Sequence, residues 1–479
     1  MASGGAYTLI TSAIIFLATT ISTILVTRQL TDEDYGLFAM VTVLTGLAAI
    51  FLELGLFNAV VQKQKISHEQ VSTLFWINVV VGTMVALIVA FTTPLLVWTY
   101  GEPRLWPINL TLASLFVVSA LGIQHRALLA RRMEHGKISL VSLAASLIAA
   151  ATSVIVAWFG GKYWALVALS ATSKLSMVVG MWIACPWVPG LPRCGSGVRE
   201  MIGFGSKVTG FRFINYFVRN ADNALLGYVW GAGPLGLYAR AYSLVMLPAG
   251  KLNGPITNVV VPVLSRVRDD AAKYARVYLA CLTPLAYFQT LLIGCVVLNV
   301  ENLVALVLGE QWIELVPIFY ALTLACVTTG TNVVSGWLYL SFGHVDAQVK
   351  HSLVQSIVTL LALIVAVQFG VIATAWTISI VYTISKPLVI LYASHPTPVR
   401  ATDILMCIYK PIVLTLIALA MTMAMVIFVF DPVNPWLQIA SRSALYSGFT
   451  LVCLTTPWFK NDVIGVFKNA RAISLGKQS

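Results

Sequence analysis

Arg212, Asn215, Arg219 and Asp222 stand three, four and three residues apart inside an otherwise apolar stretch, with Asn220 and Asn223 beside them. That spacing puts the first four on one stripe of a helix. A charge inside a membrane span costs about 2.5–3.5 kcal/mol on insertion scales, so such a stripe faces protein or water and not lipid. Two arrangements satisfy it. One is a hydrated cavity with a cationic wall, suited to an anionic, phosphate-bearing or sugar-bearing cargo, because guanidinium grips phosphate through paired hydrogen bonds. The other is an internal Arg–Asp pair that locks the bundle. Two arginines and three asparagines against one acid exceed what pairing needs, which favours the cavity. Lys251, Lys174 and Lys386 either add to the positive field or snorkel to an interface. Asp222 and Glu53 are the acids that could carry a coupling ion, although Glu53 in an apolar run also suits pairing with a nearby cation.

The elements that must position these groups follow from composition. The chain has 479 residues, 59% hydrophobic and 10% charged, with mean hydropathy +0.87. Soluble domains average about 25% charged residues, so the sequence excludes a soluble globular class. Fourteen apolar stretches reach the roughly 20 residues that a span needs, near 8–27, 37–60, 71–98, 107–125, 138–159, 163–184, 204–230, 238–263, 277–300, 313–341, 350–369, 370–393, 408–430 and 435–457. The first has neither a basic leader nor a small-residue cleavage site and is expected to be a span. Helices are the default, because an open sheet edge cannot persist in lipid. The expected class is an all-α polytopic membrane protein.

Basic residues orient it. With the N-terminus inside, the inner loops and tail collect 20 of the 30 lysines and arginines, including Arg126, Arg131, Arg132, Lys137, Arg193, Arg266 and Lys410. The outer loops hold Arg28, Arg104 and Lys162. Both termini are therefore expected in the cytoplasm. Basic inner loops facing anionic lipid account for the net charge of +12 without a nucleic-acid partner. Thr31 with Asp34, and Ser67 with Gln70, have capping-box spacing at two helix starts. The gaps near 185–203 and 394–407 are too short to fold as domains.

An internal repeat divides the chain. Gly36-Leu37-Phe38-Ala39 recurs as Gly236-Leu237-Tyr238-Ala239, and Asn58-Ala59-Val60-Val61 recurs as Asn258-Val259-Val260-Val261 at the same offset of 200. Such repeats build two bundles around a shared site in many secondary transporters.

Other motifs carry little chemistry. Asp32-Glu33-Asp34 has the Asp-x-Asp shape of metal–nucleotide-sugar sites, but it falls on the expected outer side at a helix start, where acids are favoured. Asn109-Leu110-Thr111 matches a glycosylation acceptor inside a span. The six histidines lack metal spacing, and the seven cysteines form no Cys-x-x-Cys pair and read as small hydrophobes. No phosphate-binding loop and no nucleophile–base arrangement is present. No metal, cofactor or catalytic residue is expected, and the chain does not read as an enzyme.

The run Arg219-Asn220-Ala221-Asp222-Asn223, Gly227, Gly231-Ala232 and Leu235-Gly236-Leu237-Tyr238-Ala239-Arg240-Ala241-Tyr242 resembles the central signature of polysaccharide-export flippases. These belong to the multidrug/oligosaccharidyl-lipid/polysaccharide exporter superfamily, in the branch like the colanic acid exporter. Asp34-Tyr35-Gly36-Leu37, Leu74-Phe75-Trp76-Ile77-Asn78, Tyr100-Gly101-Glu102-Pro103 and Gly309-Glu310-Gln311-Trp312 are similar too. The resemblance implies two six-helix lobes in a V, residues 1–200 and 201–395, with two further helices and a short tail in 396–479. It implies transfer of an undecaprenyl-diphosphate-linked oligosaccharide across a bacterial inner membrane for lipopolysaccharide or exopolysaccharide synthesis. Alternating access would be driven by an ion gradient or membrane potential. Membrane lipid, a polysaccharide polymerase and chain-length machinery are the implied partners. Arg212 and Arg219 would meet the diphosphate or acidic sugar, and Asn215, Asn220 and Asn223 would meet hydroxyls; Lys251 stands where the family carries a neutral polar residue, which suggests a more acidic cargo or a different counter-ion arrangement. A drug antiporter of the same superfamily is the alternative, although its cations call for intramembrane acids where this chain has bases.

Overall fold

The computed structural model describes residues 2–53, 57, 60–61, 63, 66–193, 216, 219–330, 332–428, 434–460 and 462. Within them every regular element is a helix. Among the described residues ten helices are long and apolar enough to cross a membrane, as expected where each backbone polar group must find its partner within its own segment. Phe91, Trp98, Trp158, Phe159 and Phe428 are each about four-fifths exposed, which suits lipid-facing and interfacial aromatics. The chain divides into two compact units, Met1–Ala239 and Arg240–Ser479.

Unit 1 contains α1 (Ala2–Thr27), α2 (Asp32–Glu53), α3 (His68–Phe91), α4 (Thr93–Tyr100), α5 (Leu105–Arg131), α6 (His135–Trp158), α7 (Trp164–Ala184), α8 (Ala221–Trp230) and the start of α9 (Ala232–Arg266). Both expected caps form. Ser67 and Gln70 bond reciprocally at the start of α3. Asp34 Oδ2 accepts from the Thr31 backbone at 3.1 Å, and the Asp34 backbone donates to Thr31 Oγ1 at 3.3 Å. The second oxygen, Asp34 Oδ1, accepts from the Tyr163 backbone at 3.1 Å, tying α2 to the start of α7.

The third expected span breaks into α3 and α4 before Pro94, which cannot donate a backbone hydrogen bond. Asn109, fully buried on α5, braces the break: its Nδ2 donates to the Val89 carbonyl at 2.9 Å and to Thr93 Oγ1 at 2.8 Å. The glycosylation match at Asn109 is thus a packing feature. Below the break α3 and α5 pack closely. A Cβ added at Gly82 would lie 2.7 Å from Ala120 Cβ and 3.0 Å from the Phe116 carbonyl.

After α7 the chain runs back across α3 and α5 as a strap. Trp187 Nε1 donates to His68 Nδ1 at 3.0 Å, and Trp76 Nε1 donates to the Gly190 carbonyl at 2.9 Å. The backbone amides of Gly190 and Arg193 reach Ser72 and Thr73, and Arg193 pairs with Glu69. His125 stacks on Trp182 at 4.2 Å beneath the strap.

Unit 2 carries the rest of α9, α10 (Ala271–Leu298), α11 (Val316–Gly330), α12 (Asn332–Phe342), α13 (Val345–Ala366), α14 (Val371–Ser394), α15 (Ala401–Phe428) and α16 (Pro435–Leu454). Its core is aromatic around Tyr274, Tyr278 and Trp337, and the polar tips of these three are satisfied: Tyr274 at Ser341 Oγ, Tyr278 at the Val334 carbonyl and Trp337 at Thr257 Oγ1. Lys410 and Tyr287 both donate to Asp462, which anchors the segment after α16. Six cysteines are free thiols, in keeping with their reading as small hydrophobes; Cys194 lies outside the described residues.

Candidate functional site

The described part of the polar stripe lies at the entry to α8. Asn220 occupies the position before the helix, and its Nδ2 donates to the Tyr216 carbonyl at 2.9 Å, closing the turn. Asp222 is 5% exposed. Its Oδ2 accepts from Tyr238 Oη at 2.7 Å and its Oδ1 from the Asn223 backbone at 2.8 Å. Arg219 is exposed, and among the described residues no ion pair joins it to Asp222. Asn223 Oδ1 is buried without a hydrogen-bond partner among the described residues. The acid of the stripe is therefore hydrogen-bonded by a tyrosine, and Arg219, exposed one turn earlier, acts on it through its field and not through a close ion pair.

Tyr238 lies in the second copy of the repeat, and sequence reasoning did not assign it a role. The signal was present in the offset of 200, which aligns Asp222 with Ser22 and Tyr238 with Phe38. The second copy thus has an acid and a hydroxyl where the first has a hydroxyl and a bare ring.

A cavity of about 270 Å³ adjoins the turn, lined by Asn220, Tyr216, Ala221 and Ala224, by Met40, Leu44 and Leu47 of α2, and by Leu95 and Tyr100 of α4. It is mainly apolar. Its phenols are tethered, Tyr216 Oη to the Thr42 carbonyl at 3.0 Å and Tyr100 Oη to the Ala224 carbonyl at 3.5 Å. At Gly227 a Cβ would lie 3.0 Å from the Tyr100 ring and 3.1 Å from Leu235, so a bare α-carbon fits α8 to its neighbours.

The other expected site residues are not gathered here. Arg212 and Asn215 lie outside the described residues, as do the side chains of Lys251 and Glu53. Lys174 is exposed on α7, and Lys386 is buried at 2% exposure within unit 2 rather than reaching for an interface. No cluster of metal-ligating side chains occurs among the described residues. The acids Asp32-Glu33-Asp34 serve the start of α2. Arg104 bridges Glu33 and Glu102, and these hydrogen bonds, Glu33 first, hold its guanidinium above its ordinary pKa.

The fold and sequence both have counterparts. The Lipid II flippase MurJ, in an inward closed conformation, superposes with a TM-score of 0.73 at 13% identity, covering 93% of this chain and 99% of that one. An inward-facing multidrug resistance transporter of the MATE family superposes with a TM-score of 0.62 at 13% identity, covering 83% and 98%. In sequence, the lipopolysaccharide biosynthesis protein WzxC of Escherichia coli (strain K12) is 27% identical over 375 residues, 77% of this chain and 75% of that protein. The teichuronic acid biosynthesis protein TuaB of Bacillus subtilis (strain 168) is 24% identical over 387 residues, 80% of each. A family model described as polysaccharide biosynthesis protein matches residues 25–317. The chain therefore belongs to the polysaccharide biosynthesis protein family, with the fold seen in MurJ and in the MATE transporter.

Proposed function

We propose that the protein is a bacterial inner-membrane flippase that carries undecaprenyl-diphosphate-linked oligosaccharide units from the cytoplasmic to the periplasmic leaflet. The units would feed lipopolysaccharide or exopolysaccharide assembly, with a polymerase and chain-length machinery as partners downstream. In this proposal residues 1–200 and 201–395 are two six-helix lobes, 396–479 adds two helices and a tail, and both termini are cytoplasmic. Alternating access is driven by an ion gradient or by membrane potential.

The observation that carries the proposal is the division of labour at α8. Asp222 is hydrogen-bonded by Tyr238 and attracts Arg219 only through space, so the guanidinium is left exposed. An exposed guanidinium in a span is costly unless something anionic meets it, and the diphosphate and acidic sugars of a lipid-linked glycan supply that partner. Arg212 and Lys251 would extend the same positive field, and Asn215, Asn220 and Asn223 would meet sugar hydroxyls. A cationic drug as cargo fits this balance poorly.

The test is a leaflet assay in a strain deleted for the protein. Labelled lipid-linked oligosaccharides are counted with a membrane-impermeant glycan probe on the periplasmic face. Units should accumulate out of reach and return when the wild-type chain is restored. Arg219→Ala should fail to restore them at normal abundance, by about tenfold or more if one charge-assisted hydrogen bond to cargo is lost. Unchanged accessibility in the deletion strain, with loss of export of another solute, would place the protein among small-molecule transporters.

A further inference from the structure

The antiparallel hairpin of α6 and α7 leaves a groove of about 650 Å³ along one face. α6 lines it from Lys137 to Ile148, and α7 from Leu175 to Ala184. The helices touch closely at its floor, where a Cβ added at Gly180 would lie 2.5 Å from Val141 Cγ1. Short residues at 144, 145 and 180 make the hollow between the longer side chains of Leu140, Ile148, Val179 and Ile183, all four exposed. Lys137 and Ser176 apart, no lining residue has a polar side chain.

One end of the groove is cationic. Arg131, Arg132 and Lys137 stand against Glu134 in the turn from α5 into α6. Arg131 is directed onto the Val60 and Lys63 carbonyls. Lys137 pairs with Glu134 at 2.6 Å, yet its side chain stays 57% exposed. Arg132 is exposed and joins no ion pair among the described residues. The charges of Arg132, Glu134 and Lys137 are all felt at Cys185, which directly follows Ala184 at the groove's end. They therefore gather at this mouth with a net positive sign. The length of the groove limits its occupant. Eleven residues separate Lys137 from Ile148, about 16 Å of helix at about 1.5 Å each. One leaflet of hydrocarbon is about 15 Å deep. A transmembrane helix of a partner or of a second copy would use both leaflets, whereas an acyl chain hanging from a headgroup at the mouth uses one. An anionic headgroup gains from each basic side chain held at the membrane surface.

We propose that the groove between α6 and α7 seats one acyl chain of an anionic phospholipid, with the lipid phosphate at Arg132 and Lys137. The lipid belongs to the leaflet on the side of the 131–137 turn, which is cytoplasmic in the orientation proposed above. Binding itself does not rest on the transport function.

The experiment uses the purified full-length protein in phosphatidylcholine nanodiscs. These carry a trace of phosphatidylglycerol with a photoactivatable group at the end of one acyl chain, and labelled peptides are mapped by mass spectrometry. The probe should label the far end of the groove, around Ile148 and Leu175. The exposed apolar face of α13, at Val354, Ile357 and Leu361, reports ordinary boundary lipid. Unlabelled phosphatidylglycerol should suppress groove labelling at a mole fraction about tenfold lower than phosphatidylethanolamine needs. Arg132→Gln with Lys137→Gln should erase that preference. Ala144→Phe, which fills the hollow, should abolish groove labelling and leave α13 labelling as it was. Equal labelling of the groove and α13, or equal suppression by the two lipids, means boundary lipid only and overturns the proposal. Absence of groove labelling means that protein covers the site, which also overturns it. So does suppression by undecaprenyl phosphate at a lower mole fraction than by phosphatidylglycerol, which assigns the groove to a polyprenyl tail. Should a variant fail to fold, the wild-type labelling map and the competition between lipids decide the matter. Groove labelling without leaflet transfer sinks the flippase proposal alone; transfer with boundary labelling only sinks this one alone.

Discussion

The repeat places two glycines against each other, and alanine at either should be costly. A Cβ at Gly36 would sit 1.7 Å from the Ala232 carbonyl oxygen and 2.8 Å from its Cα. A Cβ at Gly236 would sit 1.8 Å from the Asp32 carbonyl oxygen and 2.9 Å from the Gly36 nitrogen. The contact is reciprocal at the repeat offset: 32 and 36 on α2 meet 232 and 236 on α9. It is a small-residue helix crossing, in which bare α-carbons let backbones touch. The obstructing atoms are backbone and cannot rotate aside. To reach an ordinary 3.4 Å contact from 1.8 Å, the helices must part locally by 1.6 Å. Overpacking of cores costs about 1–3 kcal/mol and occasionally more, and moving two helices belongs at the upper end, about 3 kcal/mol. That is a fall of about 6–12 °C in melting temperature for a unit of this size. The costs should not add: once Gly36→Ala has parted the helices, Gly236→Ala meets the gap already open, so the double variant should fall well short of the summed losses. Detergent melting of the two single variants and the double variant, with Gly136→Ala as control, reads this directly. Gly136 is helical with nothing within 4 Å of its added Cβ, and alanine there should be neutral or stabilising by up to about 1 kcal/mol. Gly236→Ala melting with the wild type, or a strictly additive double variant, would refute the close crossing.

Other outcomes follow from single contacts. Tyr238→Phe removes the hydroxyl from buried Asp222 and should destabilise the protein by about 1–3 kcal/mol; adding Asp222→Asn should recover part of the loss, and equal loss in both variants would mean that Tyr238 acts by packing alone. Asn109→Leu takes away both brace bonds at the α3–α4 break and should lower the melting temperature, whereas Thr111→Ala, which spoils the same glycosylation match, should leave it unchanged. Trp187→Ala should loosen the strap and speed tryptic cleavage after Arg193 in intact membranes, since Trp187 holds His68 and packs on His125. Arg104→Ala should cost under about 1 kcal/mol, because its pairs with Glu33 and Glu102 are on the surface; a larger loss would assign that cluster more than a helix-start role.

Much of this protein was legible along the chain. Apolar runs long enough to span lipid can only be helices, and the ranges written from hydropathy coincide with α5, α6, α7, α10, α14 and α15 to within a few residues at most ends. Thr31 with Asp34 and Ser67 with Gln70 were readable as caps because a cap acts over three residues, as were the repeat and the signature that identifies the family. The tertiary structure decided the partners. Asp222 reads as one member of a charged stripe until Tyr238, from the next helix, takes its carboxylate. Asn109 reads as a stray acceptor motif until α3 breaks beside it. Asn78 and Gln124 are unexceptional amides until packing of α3 and α5 buries both without a partner among the described residues. Local hydrogen bonding and transfer into lipid depend on neighbours in sequence, so the sequence displays them. Which polar atom ends beside which depends on helix crossings set by side-chain volumes far apart in the chain, and only the packed bundle fixes those.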